Sequence, residues 1–69
     1  MTIQLNGEPH TLDGPLTVSA LLARLGIDAR RVAVERNVTV VRRAQYDATV
    51  ITAGDTIEIV NFVGGGAPT

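Results

Sequence analysis

Gly64, Gly65 and Gly66 follow the alternating run Ile57-Glu58-Ile59-Val60-Asn61-Phe62-Val63 and precede Ala67-Pro68-Thr69. Three glycines add nothing to folding, because glycine loses more backbone freedom on ordering than any other residue. Their use is reach. Without Cβ atoms they thread a channel too narrow for side chains, and they take backbone angles other residues avoid. Extended, Val63 to Gly66 spans about 13 Å at roughly 3.3 Å per residue. The tail from Gly64 is thus expected to be disordered and to be the working end. Residues 1–63 are expected to form the domain that presents it.

Other chemistry finds little support. The chain has no cysteine, which removes disulfides, thiolate metal sites and a thiol nucleophile. Its single histidine, His10, excludes a multi-histidine metal site within one chain and reads as a solvated residue beside Pro9. Ser19 has no histidine placed to activate it, and a hydroxyl without a base is a weak nucleophile. The glycine run is not a phosphate loop, since no Lys-Ser/Thr and no helix follow it.

With 69 residues and 45% hydrophobic content, one small globular domain is expected. No apolar run is long enough to cross a bilayer. Met1-Thr2-Ile3-Gln4 lacks the basic and apolar regions of a signal peptide, so a cytoplasmic location is expected. The net charge is −1 and every basic residue is arginine. Arg30-Arg31 and Arg42-Arg43 read as solvated surface pairs or, less simply, as steering groups for an acidic protein partner. Without aromatic interleaving they make no nucleic-acid face. A chain without lysine cannot receive an isopeptide bond on its own side chains.

The elements that must position the tail follow from periodicity. Ile3 and Leu5 alternate with polar neighbours as in a half-buried strand, and Asn6-Gly7 is a hairpin signal because both residues tolerate positive φ. A return strand over Glu8 to Leu12 contains Pro9, which belongs on a sheet edge. Thr17 is placed to cap a helix, with Leu16 and Leu21 as a hydrophobic staple, Val18, Leu21, Leu22 and Leu25 as its apolar stripe, and Gly26 as its left-handed stop. Strands are expected at Val32–Arg36 and Val38–Val41, separated by a turn at Asn37. Tyr46, in an aperiodic segment, either plugs the core or caps its edge. Ala53-Gly54-Asp55 turns into the last strand, too apolar for an edge and therefore placed centrally, parallel to the first. The expected core is Ile3, Leu5, Val18, Leu21, Leu22, Leu25, Val32, Val34, Ile57 and Ile59. With Ile57 and Ile59 facing the helix, Val60 and Phe62 face the open side, as a docking surface or under a neighbouring loop.

This order gives an α+β class and a β-grasp (ubiquitin-like) mixed sheet of four to five strands with one principal helix. Ile3-Gln4-Leu5-Asn6-Gly7, Val32-Ala33-Val34-Glu35-Arg36-Asn37 and, above all, Ile57 to Gly66 resemble the ThiS family of thiamin-biosynthesis sulfur carriers, relatives of the molybdopterin carriers. The resemblance covers residues 1–66. It implies a carrier rather than an enzyme, monomeric alone, with no bound cofactor or metal. The Gly66 carboxyl, with Gly65 beside it, would be adenylated by an E1-like (ThiF-like) enzyme using ATP. It would then become a thiocarboxylate, consumed by a thiazole synthase (ThiG-like). Val60, Phe62, Val63 and Gly64 would touch the partners. Ala67-Pro68-Thr69 departs from the family pattern, in which the second of the paired glycines is last. A protease removing Ala67 to Thr69 is one explanation, and drift or a misplaced stop codon the other. The alternatives are a carrier for molybdopterin or amino-acid biosynthesis, a ubiquitin-like modifier, and a non-covalent binding module.

Overall fold

The computed structural model describes residues 1–62. Two type-I′-like turns set its register. Asn6 (φ 51°) and Gly7 (φ 84°) join β1 (Thr2–Leu5) to β2 (Glu8–Thr11), antiparallel from Leu5↔Glu8 to Thr2↔Thr11. Positive φ at both central residues matches the twist of the flanking strands, as Asn-Gly predicts. Pro9 lies on β2, an edge strand, where its missing N–H costs nothing.

A two-residue β3 (Leu16–Thr17) leads into α1 (Val18–Leu25). The Thr17 hydroxyl accepts from the Ala20 N–H at 3.0 Å, satisfying one of the orphan donors of the first turn. Gly26, at φ 71°, ends the helix. Its N–H donates to the Ala23 carbonyl and that of Ile27 to the Leu22 carbonyl, the Schellman pattern.

β4 (Val32–Arg36) and β5 (Thr39–Val41) form the second hairpin. The expected strand start at Val38 is corrected: Asn37 (φ 52°) and Val38 (φ 71°) are both turn residues. A β-branched residue is strained there, and Val38 is 87% exposed with nothing packed over it. β6 (Val50–Ile51) pairs with β3, a small second sheet the periodicity did not show because two residues carry no period. The last strand, β7 (Thr56–Asn61), enters the centre of a five-stranded sheet ordered β2-β1-β7-β4-β5. It runs parallel to β1 and antiparallel to β4. The expected mixed sheet with one principal helix and a central final strand is what forms.

The core holds Ile3, Val18, Leu21, Leu22, Val32, Val34 and Ile57 as expected, together with Leu12, Tyr46 and Ile51. Leu5, Leu25 and Ile59, expected inside, are half-buried at its margin. Leu25 is the last residue of α1, Leu5 the last of β1, and Ile59 lies past the end of the β1 register, so each sits where its element or its neighbour runs out. Tyr46 is a plug: it is buried, with its hydroxyl donating to the Val32 carbonyl at 3.4 Å.

Candidate functional site

Everything that reaches residues 63–69 must leave the sheet through β7, so the site is built from how that strand is held. Its start is clamped from both sides. The Asn37 N–H donates to the Thr56 carbonyl, and the Asn37 Oδ1 accepts from the Thr56 N–H at 2.9 Å. On the opposite flank the Asn6 N–H donates to the Ile57 carbonyl at 2.8 Å, and the Asn6 Oδ1 accepts from the Ile59 N–H at 2.7 Å. The two left-handed asparagines that make the hairpin turns therefore also fix the strand between them. Sequence reading found them as turn residues and missed this second role. An asparagine side chain can replace a backbone partner, but which strand it reaches is decided by topology.

Beneath them lies Asp55, 7% exposed and the one buried charged residue among those described. Its carboxylate accepts from the Thr52 N–H at 2.9 Å, the Arg36 Nε at 2.7 Å and the Asn37 Nδ2 at 3.1 Å. Burial alone would raise its pKa. The donors at Thr52, Arg36 and Asn37, with the charge of Arg36, outweigh that and hold it below the usual carboxylate range. The network joins the β6–β7 turn to the β4–β5 turn, so the base of β7 is rigid.

The far end differs. The register with β1 stops at Leu5↔Ile57, while β4 continues alongside to Val32↔Asn61, and the Phe62 N–H donates to the Arg31 carbonyl at 3.0 Å. Past Ile59, β4 alone flanks the strand. Ile57 is fully buried, whereas Val60 is 56% and Phe62 50% exposed. The expected phase of β7 is correct, and of the two readings of Val60 and Phe62 the uncovered apolar pair is the one observed. Register places Ala33 beside Val60, Glu35 beside Glu58, and Val40 beside Glu35 on the same face. Val63, Gly64, Gly65 and Gly66, the other sequence-predicted site residues, lie outside the described residues, as do the expected domain limit at Val63 and the disorder expected from Gly64.

No group of three or more His, Cys, Asp or Glu capable of holding a metal occurs among the described residues. No helix among them is long and apolar enough to cross a membrane. Ser19 donates to the Asp47 carboxylate at the start of α1, and no histidine is part of that pair.

A strand held rigidly at its root, with an apolar face at its end and glycines beyond, can present a carboxyl terminus to a second protein. The model of the ThiS family matches residues 3–66. The chain belongs to the ThiS family. It is 40% identical over 65 residues to the sulfur carrier protein ThiS of Bacillus subtilis, covering 93% of this chain and 98% of that one. The crystal structure of a thiamine biosynthesis protein (ThiS) from Geobacter metallireducens superposes with a TM-score of 0.84 at 42% identity, over 96% of this chain and 100% of that chain. A thiazole synthase from Paramagnetospirillum magneticum is 45% identical over 67 residues, which is 97% of this chain but 21% of that protein. The chain thus spans about a fifth of the length of the thiazole synthases it matches.

Proposed function

We propose that this ThiS-family chain carries sulfur as a thiocarboxylate on Gly66 and delivers it to thiazole formation. The observation that carries the proposal is where the family match ends: at Gly66, past all three glycines and before Ala67. A carboxylate is a poor electrophile. An E1-like adenylating enzyme, spending ATP, would join the Gly66 carboxylate to AMP with release of pyrophosphate. A sulfur nucleophile then displaces AMP, and with sulfide as the donor the product is the thiocarboxylate directly. The chain supplies no catalytic group to these steps. It acts as a substrate of its partners, and the ATP belongs to the adenylating enzyme.

The synthase partner has independent support. A segment 45% identical to this chain lies within a protein named thiazole synthase, so carrier-like and synthase parts occur in one polypeptide. Val60 and Phe62, with Val63 and Gly64 next in the chain, form the contact with the partners. Burying the exposed faces of Val60 and Phe62 would drive docking at about 25 cal/mol per Å² of apolar surface.

In the 69-residue chain the Gly66 carboxyl is tied in an amide to Ala67, so Ala67 to Thr69 must be removed before activation, by a protease. The test is intact mass after incubation with the cognate adenylating enzyme, ATP and sulfide. A chain ending at Gly66 should gain the mass of one oxygen-for-sulfur exchange, and the 69-residue chain should not. Direct charging at Thr69 would remove Gly66 from the role. A Gly66-terminated chain left unmodified by several cognate enzymes would favour a non-covalent binding module.

A further inference from the structure

Arginines that lie apart in the sequence converge where β7 ends. The Phe62 N–H is bonded to the Arg31 carbonyl at 3.0 Å, and the Arg43 guanidinium donates to the Arg30 carbonyl at 3.3 Å. Arg31 therefore lies directly beside the end of β7, with Arg30 next to it in the chain and the Arg43 guanidinium against Arg30. Arg42 lies next to them and lines a cleft of about 400 Å³ with Arg36, Val40 and Gln45. The Arg30 and Arg31 side chains are 80% and 81% exposed. Asp28 is the carboxylate paired with them, bonded to Arg30 at 3.0 Å and 3.9 Å from Arg31. Hydrogen bonds from the Arg30 side chain and backbone hold Asp28 at a pKa of about 2, so it stays ionised. One carboxylate cannot neutralise three guanidinium groups, and neither Arg42 nor Arg43 pairs with an acid among the described residues. On a chain with net charge −1 this is a local concentration of positive charge.

We propose that Arg30, Arg31 and Arg43 form a cationic collar that seats against carboxylates rimming the tail-accepting channel of the adenylating partner. The inference rests on the carrier function proposed above and adds the charge of the surface the partner must present. Two observations favour protein carboxylates over nucleic-acid phosphates. The collar has three arginines rather than an extended basic face. The neighbouring open face carries Glu35 directly opposite Glu58, which would repel a polyanion laid across the end of the sheet. A folded partner can meet arginines with acids at one point and glutamates with other groups at another. Charges at an interface rim act mainly on encounter rate and salt dependence, so the collar sets how well the carrier is captured rather than how fast its carboxyl reacts.

The test uses chains ending at Gly66 and ATP–pyrophosphate exchange catalysed by the cognate adenylating enzyme, with KM for the carrier and kcat measured between low and physiological salt. Arg31→Gln and Arg43→Gln should each raise KM severalfold, and the double variant roughly tenfold or more at low salt, with kcat nearly unchanged. The dependence of KM on salt should flatten. Ala53→Glu, in the turn at the opposite end of β7, makes the same change in net charge as either single variant and should leave KM within about twofold. Thermal melts of each variant identify any loss of fold, and Arg31→Gln keeps the backbone bond to Phe62 in any case. A double variant with wild-type KM and salt dependence overturns the collar, as does a KM change equalled by Ala53→Glu or a fall in kcat alone. Binding of a short duplex or single-stranded oligonucleotide at physiological salt, lost in the double variant, would also overturn it in favour of a phosphate site. Absence of exchange with the unsubstituted chain would be a failure of the carrier function, not of the collar.

Discussion

β7 is one strand with two mechanical characters. At Thr56 and Ile57 it is held by β1 on one side and by β4 and its turn on the other, fixed by Asn6, Asn37 and the Asp55 carboxylate just before it, and carries a fully buried isoleucine. From Val60 to Phe62 it keeps only β4 and exposes a valine and a phenylalanine. The same alternation of residue types runs through both halves, so local propensity does not make the difference. Where β1 stops makes it. The division suits the function proposed above, because the root of the strand is fixed by the sheet while its outer half is open to a partner.

The contrast is broken most severely by emptying its buried half. Ile57→Ala should cost about 2–5 kcal/mol, read as a loss of Tm or of the denaturant midpoint, since methylenes leave a packed core. That is a large share of the stability of so small a domain.

Next is the clamp. Asp55→Asn removes a charged acceptor of three hydrogen bonds and should cost about 2–3 kcal/mol in urea unfolding. The same carboxylate gives a pH signature with a definite sign. Its native pKa lies below its unfolded value, so its stabilisation is complete above the unfolded pKa of about 4 and is lost as pH falls through the native value. The wild type should therefore lose stability on acidification below about pH 4 more steeply than Asp55→Asn.

A smaller effect, of opposite sign, is expected at the turn. Val38→Gly should stabilise by about 1 kcal/mol, because glycine accepts the positive φ that a β-branched residue resists. A rise of a few degrees in Tm would show it.

The smallest effect on stability belongs to the outer half. Val60→Ala and Phe62→Ala should each shift unfolding by less than about 1 kcal/mol, yet weaken capture by the adenylating enzyme. If Phe62→Ala unfolded the domain, the division of β7 into two halves would be wrong.

Most of this was legible in the residues because the elements that matter declare themselves locally. Asn6-Gly7 names its turn, Thr17 and Gly26 bracket the helix, and the alternation of Ile57, Ile59, Val60 and Phe62 fixes which face each occupies. What escaped is what only the assembled sheet decides. Leu12 ends an expected strand whose other residues set no apolar phase, Tyr46 lies outside periodic segments, and Ile51 lies in a two-residue strand, so no pattern marks them as core. Leu5, Leu25 and Ile59 have the right period but sit where an element or its neighbour runs out, which period alone does not show. Val38 reads as strand by residue type, yet the two-residue loop forces it into the left-handed region. Arg30-Arg31 and Arg42-Arg43 look like unrelated surface pairs until the β4–β5 hairpin between them sets Arg43 against Arg30. Gly65 and Gly66 were legible as chemistry only through the family resemblance, since no spacing of side chains encodes a terminal carboxyl.

The central place of β7 also dictates the order in which the molecule can be assembled. β1 and β4 are non-adjacent strands in this sheet, and the strand that must lie between them comes from residues 56–61. A growing polypeptide shorter than that has two half-sheets and no seam. Contacts spanning most of the sequence are slow to form, because a long loop must close before they repay its entropy. Folding therefore waits for the last strand. The domain that precedes the glycines is complete only when the strand leading to them has been made and inserted, so synthesis of that strand and completion of the fold are one event.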